Sequence, residues 1–272
     1  MSPTKTENRS HTHEIALDAA PERVWQAITD PTELVRWFPL EAAASPGPGG
    51  SLTYRWGPDI AIRCRVETWD PPRHLRTTWT EPLDEADPAG AARAPLAVDW
   101  HIEGRAGRSV LRLVHSGFGH DARGDEEFDG TRRGWTFELG SLQHYLAHHA
   151  GQNRQAFWVR KPVAVREEDV FAQMTRPGKF LREGSVERLT AGDRYRLVLA
   201  TGDVLEGMVT LHVPPTEFAG TVENLGNGLM RMGFERCAGG PQAHLWLSTW
   251  GVPATAASAL EARIRELLDR TF

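Results

Sequence analysis

Cysteine is scarce in this chain. Its 272 residues carry two, Cys64 and Cys237. They are too few and too far apart for a disulfide framework or a CxxC metal or redox motif, and they suit a reducing cytoplasm. A dominant charge of one sign is also lacking. The net charge is -5, with Arg and Lys scattered among Asp and Glu. Without a basic stripe, the electrostatic footprint of a nucleic-acid binder is excluded. No window approaches the run of about 18 apolar residues that a membrane span needs. The first residues, MSPTKTENRSHT, have no apolar core, so 1–12 read as a disordered tail and not a signal peptide. A cytoplasmic location is the expectation. Tyrosine is rare too, at three residues against ten tryptophans.

Tryptophan is therefore the aromatic to follow. Trp25, Trp37, Trp56, Trp69, Trp79, Trp100 and Trp135 all lie in the first half. Each brings large apolar area and one N–H donor. Such a set packs a core or walls an aromatic cavity.

Alternation sets the architecture. HEIALDAA (13–20) reads as an edge strand, and PERVWQAITD as a helix with Pro21 at its first position. PTELVRWF starts a second short helix, and SPGPGGS (45–51) is a loop. Period-two patterning then runs through 51–56, 60–69, 74–80, 96–104 and 111–118, with 81–95 as a long flexible loop. Tyr54 and Trp56, Cys64, Thr77 and Trp79, Trp100, and His115 share the inward parity. Asp99 and His101 take the outward one. Successive alternating strands imply an antiparallel meander with one buried face. DGTRRGWTFELGSLQHYLAHH (129–149) follows as a long helix, with Trp135, Leu139, Leu142 and Leu146 on one stripe.

The order then repeats. AFWVRKPVA (156–164) is a strand and 166–174 a short helix. Strands are expected at 185–189, 194–202, 205–213, 217–223, 228–237 and 243–251, and a helix closes the chain from 254. This gives a cavity domain over 13–150 and a diverged second copy over 156–272, joined by GQNRQ.

The stretches APERVWQAITDPTELVRWF, LRLVHSGF and GW with FELGSLQHYL carry a family likeness. Over residues 11–150 the chain resembles the bacterial family named after the activator of the heat-shock-protein ATPase. That family belongs to the START-like, helix-grip superfamily. The resemblance implies an α+β fold of two helix-grip domains. Each would be an antiparallel sheet curved around a long C-terminal helix. A cavity would lie between sheet and helix, where superfamily members hold lipids, sterols, hormones or polyketides, or act as cyclases, aromatases or hydrolases. Fold alone does not choose among these.

The inward set nominates the site: Trp37, Phe38, Tyr54, Trp56, Cys64, Thr77, Trp79, Trp100, His115, Trp135 and Leu139. Ligand pockets are mostly apolar with a few placed polar groups, and Thr77 and His115 fill that role. His115 has two readings. It is either a ligand-orienting or proton-moving group near neutrality, or a structural histidine with a satisfied hydrogen bond. Cys64 could pair with a histidine as a nucleophile, but a small buried hydrophobe describes it better. His144, His148 and His149 lack a carboxylate or cysteine at ligand spacing and read as surface residues, so no metal and no cofactor is expected. In the second half, Trp246, Trp250, Phe234 and Met232 could line a similar space, without a polar cluster.

Binding of a small hydrophobic or aromatic molecule is the leading expectation. The alternatives are a polyketide-type cyclase, aromatase or dehydratase using His115 as acid–base, and a chaperone-associated interaction module. The partner expected is the small molecule, with no nucleic acid and no membrane. A homodimer and, by family analogy, a chaperone are left open.

Overall fold

A computed structural model describes residues 9–80, 95–237 and 240–272. It divides into two compact units, Met1–Ala150 and Gly151–Phe272. The loop expected at 81–95 lies almost wholly outside the described residues, as do residues 1–8.

The first unit runs β1 (Arg9–Leu17), α1 (Pro21–Thr29), α2 (Pro31–Leu34), β2 (Glu41–Ser45), β3 (Ser51–Arg55), β4 (Ala61–Asp70), β5 (His74–Trp79), β6 (Ala97–Arg105), β7 (Arg108–Phe118) and α3 (Ala122–His148). All seven strands form one antiparallel sheet in the order β1-β7-β6-β5-β4-β3-β2. The expected parity holds on its inner face. Leu52, Tyr54, Cys64, Val66, Leu75, Thr77, Val98, Trp100, Leu111, Leu113 and His115 are all buried there.

Several expectations need correction. The first strand begins at Arg9, so residues 9–12 belong to the sheet and not to a tail. They continue the alternation inward through His11, His13, Ile15 and Leu17, with Ser10, Thr12 and Glu14 exposed. Strand β2 was missed because EAAAS carries no β-branched or aromatic residue; its pairing with β3 makes it a strand. Helix α3 starts at Ala122, not 129, because its first two turns are polar and leave no stripe to read. Asp121 caps it by accepting from the Gly124 amide at 2.8 Å. Gly124 is required there, since a Cβ would lie 2.4 Å from the Gly119 carbonyl oxygen. On the buried stripe Tyr145 takes the place expected of Leu146.

The two short helices are tied to α3 by a charged network. The Tyr145 hydroxyl donates to Glu33 at 2.7 Å, Arg23 and Arg36 each reach the same carboxylate at 2.5 Å, and Arg23 also donates to the Tyr145 oxygen at 2.9 Å. Burial pushes the Glu33 carboxyl up, but the Tyr145 hydroxyl and the two guanidiniums outweigh it and hold the group below its usual range. Hydrogen bonds to a charged group contribute about 1.5–3 kcal/mol. Tyr145→Phe is therefore expected to lower stability by about that amount, read as a reduced urea midpoint at unchanged slope.

The second unit runs β8 (Arg154–Pro162), α4 (Glu167–Thr175), β9 (Leu181–Glu183), β10 (Arg194–Leu199), β11 (Val204–Val213), β12 (Glu217–Val222), β13 (Gly228–Cys237), β14 (Gly240–Trp250) and α5 (Ala254–Thr271). Its sheet order, β8-β14-β13-β12-β11-β10-β9, repeats that of the first unit strand for strand. The chain is thus two antiparallel sheets of one topology, each followed by a helix. A strand does not form at 185–189. The edge strand is β9, which pairs with β10, and Val186 is buried with its amide bonded to the Thr175 carbonyl. Leu260, Ile264, Leu267 and Leu268 of α5 pack into the core as their spacing predicts.

Candidate functional site

The expected hollow exists in the first unit. It lies between the inner face of the sheet and α3, and measures about 30 Å³. Its wall is Phe38, Tyr54, Ile62, Cys64, Thr77, Trp79, Val98, Trp100 and Trp135. Seven of the eleven nominated residues therefore meet around one space.

The volume decides what this state can hold. One water needs about 10–15 Å³ on this measure, and an engineered cavity that binds benzene is about 150 Å³. The rings close most of the room. Phe38 sits 5.0 Å from Trp37, 5.1 Å from Tyr54, 5.1 Å from Trp56 and 5.4 Å from Trp135, centre to centre. Trp100 meets Trp135 edge-on at 5.2 Å. Phe38 is the hub, and it lies beyond α2 outside any helix or strand.

Four nominated residues stand elsewhere. Trp37 is fully buried, and its indole N–H donates to the Ala27 carbonyl at 2.8 Å, so it staples α1 and does not wall the hollow. Trp56 is half-buried against Phe38. Leu139 packs in the core. His115 sits one layer behind, at 0% exposure.

The geometry of His115 answers the acid–base question. The Trp135 indole N–H donates to its Nδ1 at 3.0 Å. That nitrogen is then unprotonated, and the proton of the neutral ring is on Nε2. Burial, helped by His11 and His13, pushes the group down to about 3. At neutral pH, His115 is thus a neutral ring whose basic nitrogen is already engaged, accepting from Trp135. It does not fit the role of general base.

Cys64 is no nucleophile either. Burial pushes its thiol up to about 12, against a lowering hydrogen bond with Thr77. A thiolate is the reactive form. The Tyr54 hydroxyl is likewise held well above its usual range, by burial first and by Cys64 second. Tyr54, Cys64 and Thr77 remain neutral polar groups on an aromatic wall.

Two residues of this region escaped the sequence reading. His11 is the cross-strand partner of His115, with rings 5.4 Å apart, and His13 follows on the same face. Thr131 donates its hydroxyl to the Glu127 carbonyl at 2.7 Å, so it accepts from His11 Nε2 at 3.1 Å. Burial, His13 and Arg132 push His11 down to about 4, and burial and Arg132 lower His13. The inward phase of Ile15 and Leu17, extended backward, was the available signal.

On the outer face, parity placed Asp99 and His101 in water. Instead Asp99 is buried at 9% exposure, held by Arg76 and by His74 at 2.9 Å. His149, expected on the surface, is buried as well.

The larger hollow lies in the second unit. A cleft of about 230 Å³ is lined by Val204, Leu205, Leu225, Val252, Ala257 and Leu260, with the bidentate Arg263–Asp203 pair at its polar side. Met232 and Phe234 are in the core of this unit. Trp246 alternates with the core residues Leu245 and Leu247 of β14, so it takes the opposite face, where Arg154 stacks over it.

Residues 18–147 match the sequence model of the family "Activator of Hsp90 ATPase homolog 1-like protein". The match spans most of the first unit. That unit is similar to this family. The second unit shares its strand order with the first unit and lies outside the matched residues. No curated protein matches the chain. Among solved structures, protein MLL2253 of Mesorhizobium loti is 24% identical with a TM-score of 0.45, covering 52% of this chain and 98% of that one. The Aha1 dimer of Colwellia psychrerythraea is 17% identical, TM-score 0.45, covering 53% and 99%. The di-domain ARO/CYC BexL of the BE-7585A biosynthetic pathway is 17% identical, TM-score 0.43, covering 97% of each chain. The chemistry rests on this chain's own residues. Among the described residues, no helix is long and apolar enough to cross a membrane.

Proposed function

We propose that the first unit binds a small, flat, apolar molecule between its sheet and α3, and that Phe38 is the cover of that site. The observation that carries this reading is the convergence of Phe38, Trp79, Trp100 and Trp135 on one hollow with Tyr54, Cys64 and Thr77 as its neutral polar members. Such a wall offers aromatic faces and three weak polar contacts but no charge, so it selects neutral aromatic ligands. Phe38 closes the hollow from the turn after α2, outside any helix or strand. Its displacement opens space without disturbing a strand.

Phe38→Ala is the test. A naphthol probe, followed by tryptophan quenching, is expected to bind the variant at least roughly tenfold more tightly than the parent, as engineered apolar cavities admit small aromatics. Ala257→Trp, which fills the cleft of the second unit, is expected to leave binding unchanged. Absence of saturable quenching in both parent and Phe38→Ala would overturn the proposal. So would loss of binding in Ala257→Trp, which moves the site to the second unit.

A further inference from the structure

We propose that His74, Asp99 and His101 form a binding site for a divalent transition-metal ion of the zinc type on the outer face of the first sheet. The three residues come from adjacent strands. His74 of β5 and His101 of β6 are direct cross-strand partners, and Asp99 stands two residues from His101 on the same face of β6. The imidazole rings stack at 4.3 Å with a 12° tilt. One ligand atom from each residue lies within 4.8 Å of the others, the single such group of three among the described residues.

The donor chemistry fits. Two imidazoles and one carboxylate make a borderline-soft set suited to zinc, nickel or copper, with remaining positions open to water. Zinc–ligand bonds of about 2.0–2.1 Å put tetrahedral ligands about 3.3 Å apart, so the donors need to close by at most about 1.5 Å. Side-chain rotation on fixed strands supplies that.

The surroundings are organised around Asp99. A carboxylate on a merely solvated face has no reason to be buried, yet this one is. Arg76 takes its Oδ2, and Oδ1 faces His74 Nε2 at 2.9 Å. A carboxylate only accepts, so that imidazole nitrogen carries the proton. When a metal takes Nε2, the proton of the neutral ring moves to Nδ1, while Arg76 keeps orienting the carboxylate from behind. Arg76 and Arg112, the cross-strand partner of His101, add positive charge nearby. They weaken the site relative to a permanent structural zinc and make it exchangeable. A bound ion joins β5 to β6 across the long connection between them.

The test uses the full chain without a histidine tag. Calorimetric titration with zinc chloride and nickel chloride is expected to show one saturable site, and an unfolding temperature that rises with zinc concentration. His101→Ala, at a half-buried surface position, and Asp99→Asn are each expected to weaken binding by roughly tenfold or more. His144→Ala with His148→Ala, at the far end of α3, is expected to change nothing. The proposal is overturned by absence of saturable binding up to millimolar metal. It is equally overturned by a site that survives His101→Ala and vanishes in the His144/His148 double variant. Should Asp99→Asn unfold, His101→Ala decides alone.

Discussion

Acidification from pH 6.5 to pH 4 is expected to remove about 3 kcal/mol of stability from the first unit through His115 alone. In the unfolded chain, histidine takes up a proton near pH 6.5. In the folded chain, burial beside His11 and His13 holds His115 neutral down to about 3. Between those values the unfolded state binds more protons, so stability is complete above pH 6.5 and falls as the pH drops. Each unit below costs about 1.4 kcal/mol for this one group. His11 and His13 act in the same direction. A total stability of about 5–15 kcal/mol makes this a large fraction. The checking experiment compares urea midpoints of the parent and His115→Gln across this range. The glutamine oxygen can still accept from Trp135, so neutral-pH stability changes little. The variant is expected to show the shallower pH slope, with about one proton fewer taken up on unfolding. Equal slopes would mean that His115 titrates normally in the folded protein.

Trp37→Ala is expected to cost about 3–5 kcal/mol, as truncation of a fully buried indole does. The residue was nominated as a pocket wall, and the structure makes it a structural anchor. Its N–H holds the Ala27 carbonyl of α1, its own carbonyl accepts from the Ser141 hydroxyl of α3 at 2.8 Å, and its ring stacks on Phe38. Loss of the ring leaves a cavity and an unpaired carbonyl at the junction of three helices. Thermal unfolding and the urea midpoint report the cost. A wall residue would behave differently. Truncation of Phe38, itself buried, also costs stability, but it is expected to raise probe affinity, which loss of Trp37 is not. The Trp37 and Phe38 variants therefore separate anchor from cover.

How far the sequence reached is visible in single residues. Parity placed Tyr54, Cys64, Thr77, Trp79, Trp100 and His115 on the inner face, because side chains alternate strictly along a strand. The stripe on α3 placed Trp135 opposite them, because helical spacing is equally strict. Where local signals are weak, the reading stopped. EAAAS carries no strand preference and becomes one only by pairing with β3. The polar opening of α3 has no stripe, and its start is set by the Asp121 cap. Asp99 has outward parity and is nonetheless buried, because Arg76 and His74 on the next strand cover it.

By itself, then, the sequence determined two successive antiparallel sheets, each closed by a helix, and which side chains of the first face inward. Periodicity is local, so it can be read along one chain. The tertiary structure alone decided how much space those side chains leave. Phe38 reaches into the hollow and reduces it to about 30 Å³, while a cleft of about 230 Å³ opens in the other unit. It also decided that His115 accepts a hydrogen bond from Trp135, and that His74, Asp99 and His101 meet. Volumes and hydrogen-bond partners depend on residues far apart in the chain, and no local pattern encodes the distance between them.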